Sequence, residues 1–291
     1  MVKVLVTGCN GQLGSEFKLL VKEFPNFSFL LTDVDDLDIT DYHQVEIFFK
    51  KYMPDVVINC AGYTAVDKAE DEPEKAMWLN RDAVTNLAAA GSLCDSYMVH
   101  ISTDYVFNGK NIRPYREDDI PSPVSIYGLT KLAGEEAMMS CLQFGMIIRT
   151  SWLYSSFGNN FVKTILKRCA EKGELNVVTD QFGSPTYARD LAKAILEILP
   201  AAMSSKQFEI FHYADEGECS WFEFACEAVS IAGLPCRINP IDTKGYPTKA
   251  QRPAYSVFDK SLIKNRFGIT IPEWRESLKE CVEELRVGHG A

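Results

Sequence analysis

The sequence contains no apolar run long enough to cross a bilayer. The longest candidate, Ala137 to Leu153, is broken by Gln143, Gly145 and Arg149, whereas a spanning helix needs about 20 predominantly apolar residues. No basic segment followed by an apolar core and a cleavage site opens the chain, which enters a strand-like run, Val2-Lys3-Val4-Leu5-Val6, at once. A protein that is neither exported nor membrane-bound is expected. Basic residues are in deficit: 30 Lys and Arg against 40 Asp and Glu give a formal charge of −10. That argues against nucleic acid as a partner, because phosphate backbones call for a basic surface. A phosphate on a small ligand remains compatible, since a helix N-terminus and a single arginine suffice to hold it.

There is no C-x-x-C, and the four histidines, His43, His100, His212 and His289, are scattered without metal-ligand spacing. No metal site is expected. Nine cysteines in a chain of 291 residues are an odd number, and Cys60, Cys94, Cys169 and Cys226 stand in apolar settings. Reduced thiols acting as small hydrophobes, and a cytoplasmic location, are the reading.

What is present is an ordinary globular composition, 46% hydrophobic and 24% charged. Strand-like runs at Val2–Thr7, Phe27–Thr32, Asp55–Asn59, Tyr97–Ser102 and Met146–Arg149 alternate with helical stretches at Gln12–Glu23, Tyr42–Lys51, Pro73–Cys94 and Ile126–Cys141. The strands are nearly all apolar without alternation, as in a parallel sheet covered on both faces. Such βα order predicts an α/β fold with a doubly wound parallel sheet. Beyond Trp152 the pattern loosens: helices are expected at Phe161–Lys172, Arg189–Leu199, Trp221–Ala232 and Glu273–Arg286, and a strand at Glu209–Tyr213. Residues 1–150 read as a dinucleotide-binding domain, with return segments near 175–213. Residues 151–174 and 214–291 read as a smaller substrate-binding lobe.

Gly8-Cys9-Asn10-Gly11-Gln12-Leu13-Gly14 follows the first strand and opens a helix. The spacing is G-x-x-G-x-x-G rather than G-x-G-x-x-G, but the physics is shared: a tight turn, close backbone approach to a pyrophosphate, and a helix N-terminus facing negative charge. Asp33, about 20 residues on at the end of the second strand, is placed to accept from an adenosine ribose and to repel a 2′-phosphate. NADH is therefore favoured over NADPH. Asp38 and Ile39 are candidates to border the adenine. Cys60, Ala61, Gly62 and Tyr63, after the third strand, are small or flank small residues where a backbone passes close to the cofactor.

Tyr127 and Lys131 lie four residues apart, on one face of a helix. An ammonium beside a phenol favours the phenolate and lowers its pKa from about 10. Thr103 stands at the carboxyl end of the fourth strand, where ligands of open α/β sheets bind. Together they form a catalytic set for a carbonyl: Thr103 binds its oxygen, Tyr127 protonates it, and Lys131 stabilises the phenolate and holds the nicotinamide ribose.

With these motifs the chain resembles the extended short-chain dehydrogenase/reductases along essentially its whole length, and within them the dTDP-4-dehydrorhamnose reductases. The carrying segments are the glycine turn, Ala61-Gly62-Tyr63-Thr64-Ala65-Val66-Asp67-Lys68-Ala69-Glu70, Ser102-Thr103-Asp104-Tyr105-Val106-Phe107, Tyr127-Gly128-Leu129-Thr130-Lys131, Arg149-Thr150-Ser151-Trp152-Leu153-Tyr154 and Arg252-Pro253-Ala254-Tyr255-Ser256. The resemblance implies hydride transfer from NADH or NADPH to the C4 ketone of a dTDP-linked 4-keto-6-deoxysugar. Related dehydratases carry Thr-Asp-Glu where this chain has Thr103-Asp104-Tyr105, and a tyrosine cannot serve as the carboxylate base of an elimination near neutral pH.

By the same resemblance Thr64, Val66, Asp104, Tyr105 and Trp152 border the sugar, with Trp152 as a flat apolar wall. Asn160 faces the nucleotide, and Arg252 engages the diphosphate through its fork. Some family members hold Mg²⁺ at a dimer contact, where this chain places Glu16 and a shorter Asp190. A homodimer is compatible with the sequence; a metal is not assigned. Two alternatives stand beside this reading: a non-catalytic regulatory subunit of the same fold, and a reductase of a different nucleotide 4-keto-deoxysugar.

Overall fold

A computed structural model describes residues 1–288; His289 lies outside them. Six parallel strands form the central sheet. In chain order they are β1 (Val2–Thr7), β2 (Phe27–Leu31), β3 (Val56–Asn59), β4 (Tyr97–Thr103), β5 (Gly145–Thr150) and β6 (Phe208–His212). In space the order is β6-β5-β4-β3-β1-β2, so the winding direction reverses between β1 and β3. A crevice beyond the carboxyl ends of the strands at such a reversal is where open α/β sheets bind ligands.

The run of buried residues expected for these strands resolves into two faces. Val4 and Val6 of β1 point to a cluster with Phe17, Leu191 and Leu199. Leu5 between them points to a second cluster with Phe49, Val84 and Met98. The helices Gln12–Leu20 and Ala188–Ser205 cover the first face. Tyr42–Tyr52, Ala83–Leu93 and Ile126–Cys141 cover the second. Each fully buried Val, Leu or Phe contributes about 1.5–3 kcal/mol relative to exposure, which makes this double-sided burial the main force holding the sheet. Together these features make a Rossmann-like α/β fold.

Two helices depart from expectation. The stretch expected as one helix over Pro73–Cys94 contains a π-helical turn at Trp78–Asp82 between α-helical Pro73–Met77 and Ala83–Leu93. At that wider turn the Asn80 side chain leaves the helix to hold both the amide and the carbonyl of Tyr63. The helix expected to stop at Leu199, before Pro200, continues to Ser205. Burial of Ala202 against the core and a hydrogen bond from Ser204 Oγ to the Pro200 carbonyl support the turn after the proline.

Residues 174–178 pair with Arg237–Ile241 in a separate parallel ribbon rather than returning to the central sheet. The chain rejoins that sheet through Ala188–Ser205 and β6, against which the later helix Ser261–Phe267 also packs. The ribbon packs on the helices Phe161–Glu171 and Trp221–Ala232, the latter closed at its start by a reciprocal Ser220–Glu223 capping box. Among the described residues no helix is long and apolar enough to cross a membrane. All nine cysteines are free thiols.

Candidate active site

The glycine turn sits at the switch point. Gly8 adopts a φ of +65°, and a Cβ there would come within 2.7 Å of the Ala61 amide nitrogen. A side chain at Gly14 would overlap the Gly8 carbonyl. Only glycine allows the turn after β1 to pass so close to the loop after β3. The helix that follows has Gly11 at its N-cap, with no side-chain cap and no acidic residue in its first turn. Its first N–H groups and the positive end of its dipole thus remain available to an anion.

Asp33 braces this turn: its Oδ2 accepts from the Asn10 amide at 2.8 Å and its Oδ1 from Val34 N at 2.9 Å. Asn10 Oδ1 accepts from Lys18 Nζ at 2.6 Å. Leu13 is buried in the core beneath the turn. Asp38 Oδ1 accepts from both the amide and hydroxyl of Thr40, and Ile39 packs into the apolar cluster with Leu37 and Val45.

Beyond β3, Asn59 Oδ1 accepts from Thr7 Oγ1 at 2.7 Å and from Ala61 N at 3.2 Å. That fixes its amide so that Nδ2 donates to His100 Nδ1 at 3.1 Å. Burial and the nearby Lys131 ammonium hold His100 well below its usual pKa. Burial raises the Cys60 thiol in the same place. Gly62 lies next to Lys131 Nζ, and Tyr63 is held by Asn80 and by a bond from its hydroxyl to Glu72 at 2.8 Å.

Thr103 is the last residue of β4, and Tyr127 and Lys131 project from the helix Ile126–Cys141. Ser125 caps that helix by accepting from Gly128 N. Any side chain at Gly128 would collide with the Tyr105 carbonyl, so the first helical turn presses on the segment after β4. This contact brings the Tyr105 and Tyr127 rings edge to face, centroids 5.4 Å apart.

Tyr127 is buried, and burial raises its phenol above the usual value. The nearby Thr103 hydroxyl, which itself donates to Asp104 Oδ1 at 3.0 Å, pulls the other way. Lys131 Nζ donates to the Ile101 carbonyl at 2.6 Å. Burial lowers Lys131 to about 8, against the opposing pull of Glu135 and Cys60. Asp104 is also buried, and burial pushes its carboxyl up to about 6.

A cavity of about 530 Å³ opens beside Tyr105, lined among others by Asp67, Arg168, Trp221, Lys249 and Arg252. Arg252 spans its wall, donating to the Tyr105 hydroxyl at 2.8 Å and to Asp67 Oδ2 at 2.5 Å. Tyr105 therefore links the cavity to Tyr127. Val66 packs in the same small cluster as Tyr127 and Tyr63, and Thr64 is exposed on the loop before it.

Two expected contacts are not presented as free surfaces. Trp152, at a φ of +48°, stacks on Trp221 with ring centroids 3.5 Å apart, so that face is closed. Asn160 caps the helix Phe161–Glu171 through Lys163 N and bridges to Gln12 Oε1 at 3.0 Å, tying the lobe to the glycine turn. Glu16 is buried against Arg189 and Ser155, and Asp190 accepts from Ser277. Among the described residues no group of three or more His, Cys, Asp or Glu is placed to hold a metal.

Sequence reasoning missed Asp67 as the partner of Arg252, and with it Arg168, Lys249 and Trp221. Asp67 stood inside a motif already singled out. The other three come from segments whose approach depends on the ribbon pairing of 174–178 with Arg237–Ile241.

Comparison with known proteins agrees with this geometry. The RmlD substrate binding domain family matches residues 2–287. The spore coat polysaccharide biosynthesis protein SpsK of Bacillus subtilis is 42% identical, with 98% of each chain covered. A dTDP-4-dehydrorhamnose reductase of Sinorhizobium fredii is 39% identical, also with 98% of each chain covered. The crystal structure of dTDP-4-dehydrorhamnose reductase from Bacillus anthracis in complex with NADP superposes with a TM-score of 0.92 at 36% identity, covering 98% of this chain and 100% of that one. The chain belongs to the RmlD substrate binding domain family.

Proposed function

We propose that this protein reduces the C4 ketone of dTDP-4-dehydrorhamnose to give dTDP-L-rhamnose, using NADH or NADPH. The observation that carries the reading is the placement of Thr103 at the carboxyl end of β4 with Tyr127 packed on Tyr105, whose hydroxyl is bonded to Arg252 in the cavity wall. The glycine cradle fits a dinucleotide: a Cβ at Gly8 or Gly14 would fill the turn, and the helix N-terminus behind it has no side-chain cap. When bound, the reduced nicotinamide supplies a hydride for the carbonyl carbon.

The chain's own residues supply the rest. Gly8, Gly11 and Gly14 bring backbone N–H groups to the pyrophosphate. Asp33 stands where the adenosine ribose lies and favours NADH. Thr103 donates to the ketone oxygen and orients it, and Tyr127 gives that oxygen its proton. Lys131, anchored on Ile101, keeps a positive charge beside the nicotinamide ribose and near the developing phenolate. Arg252 and Tyr105 hold the diphosphate side of the substrate in the cavity, where Arg168 and Lys249 add positive charge.

The assignment is supported by relatives named for this activity and by a Tyr105 where a dehydratase would carry a carboxylate. It is tested by mixing the protein with NADH or NADPH and dTDP-4-dehydrorhamnose. Substrate-dependent loss of nicotinamide absorbance, with rhamnose stereochemistry in the product by NMR, is expected. No oxidation would favour a non-catalytic subunit, and a different epimer would assign another sugar.

A further inference from the structure

The Arg252 guanidinium in the cavity wall is already engaged by an acid of this chain. Its Nη2 donates to Asp67 Oδ2 at 2.5 Å and its Nη1 to the Tyr105 hydroxyl at 2.8 Å. The other Asp67 oxygen, Oδ1, accepts from the Ala250 amide at 3.0 Å, two residues before Arg252. Four residues beyond Asp67, Asp71 pairs with Lys249. These contacts hold the segment 249–252 against the short helix Val66–Ala69 and the turn after it. Asp67, Lys249 and Arg252 line the cavity together with Arg168. The Asp67 side chain is 45% exposed and that of Arg252 21%, so the carboxylate is the partner more open to replacement from solvent.

We propose that Asp67 stands in for the diphosphate of the substrate, holding the Arg252 fork until the nucleotide sugar takes it over. The inference rests on the nucleotide-sugar reading proposed above. A carboxylate and a phosphate each offer two oxygens to a guanidinium in the same planar geometry. If both stayed on Arg252, two like charges would lie side by side. A single carboxylate in a partly exposed ion pair is weakly held. A diphosphate carries more charge and has Lys249 and Arg168 in the same cavity to draw on, so it displaces the acid.

Asp67 keeps its second anchor during the exchange. Oδ1 remains on the Ala250 amide, so the segment 249–252 stays in place while the arginine changes partner. The work of displacing the carboxylate opposes every diphosphate ligand and no neutral nucleoside. Removing the charge of Asp67 therefore strengthens diphosphate binding. A residue that merely aimed Arg252 at its ligand would give the opposite sign.

The test is calorimetric titration of the full-length protein, unaltered and as Asp67→Asn, with dTDP and with thymidine. The asparagine keeps a carbonyl oxygen for the Ala250 amide but is no counter-ion for the guanidinium. Asp67→Asn is expected to raise the ratio of dTDP affinity to thymidine affinity by about fivefold, the scale of one partly exposed ion pair. A second measurement needs no variant: in crystals of the unaltered protein with dTDP, Arg252 should sit on the diphosphate, more than about 4 Å from the Asp67 carboxylate. Weaker dTDP binding by Asp67→Asn would make Asp67 a positioning residue for Arg252 and overturn the proposal. An unchanged ratio, or an Arg252–Asp67 bond intact beside bound dTDP, would overturn it equally. No binding of dTDP by the unaltered protein would instead sink the nucleotide-sugar reading beneath it.

Discussion

The Lys131 ammonium donates a 2.6 Å hydrogen bond to the carbonyl of Ile101, which clamps the helix carrying Tyr127 onto the strand carrying Thr103. His100 stands 3.5 Å from the same nitrogen, oriented in turn by Asn59. The lysine is thus held at the junction of β3, β4 and the helix.

Burial is the dominant influence on Lys131, and it brings the ammonium to about 8. The charged form is present below that pH and lost above it, so kcat/KM should fall on the alkaline side with an apparent pKa near 8. Lys131→Met should remove this limb and lower kcat/KM by about 10²-fold. A pH–rate profile in both proteins checks the point; an unchanged alkaline limb in Lys131→Met would assign it to another group.

Asp33 is held by the Asn10 amide, next to the Lys18–Asn10 contact. Asp33→Ala removes the negative charge that would repel a 2′-phosphate, so the ratio of kcat/KM for NADPH over NADH should rise by about tenfold, roughly 1.4 kcal/mol. Steady-state rates with each cofactor measure it directly. An unchanged ratio would mean that Asp33 serves the turn alone.

Arg252 holds Tyr105 and Asp67 with separate nitrogens of one guanidinium. Arg252→Lys keeps the charge but loses the fork, and should raise KM for the dTDP sugar almost as much as Arg252→Ala, by about tenfold, with a smaller effect on kcat. Full recovery by lysine would show that charge alone matters.

Much of the fold is legible in the residues because parallel strands buried on both faces leave short apolar runs, and β1, β3 and β5 stand where those runs do. The glycine turn is legible for a similar reason: Gly8 and Gly14 answer a steric demand that no other residue meets. What escapes is set by distant pairing. No local pattern tells that 174–178 joins Arg237–Ile241 or that Trp221 covers Trp152, and the cavity around Arg252 is built from those approaches. The charge state of the site escapes too. Spacing places Tyr127 and Lys131 on one helical face, but burial, which raises the phenol and lowers the amine, depends on the whole surrounding shell.

The central claim is that the Tyr127 phenol gives its proton to the carbonyl oxygen. The most direct measurement is kcat for Tyr127→Phe with NADPH and dTDP-4-dehydrorhamnose, alongside cofactor affinity by fluorescence titration. A loss of about 10²-fold or more in kcat, with affinity for the nucleotide nearly unchanged, is the predicted result. Turnover close to that of the unaltered protein would contradict it.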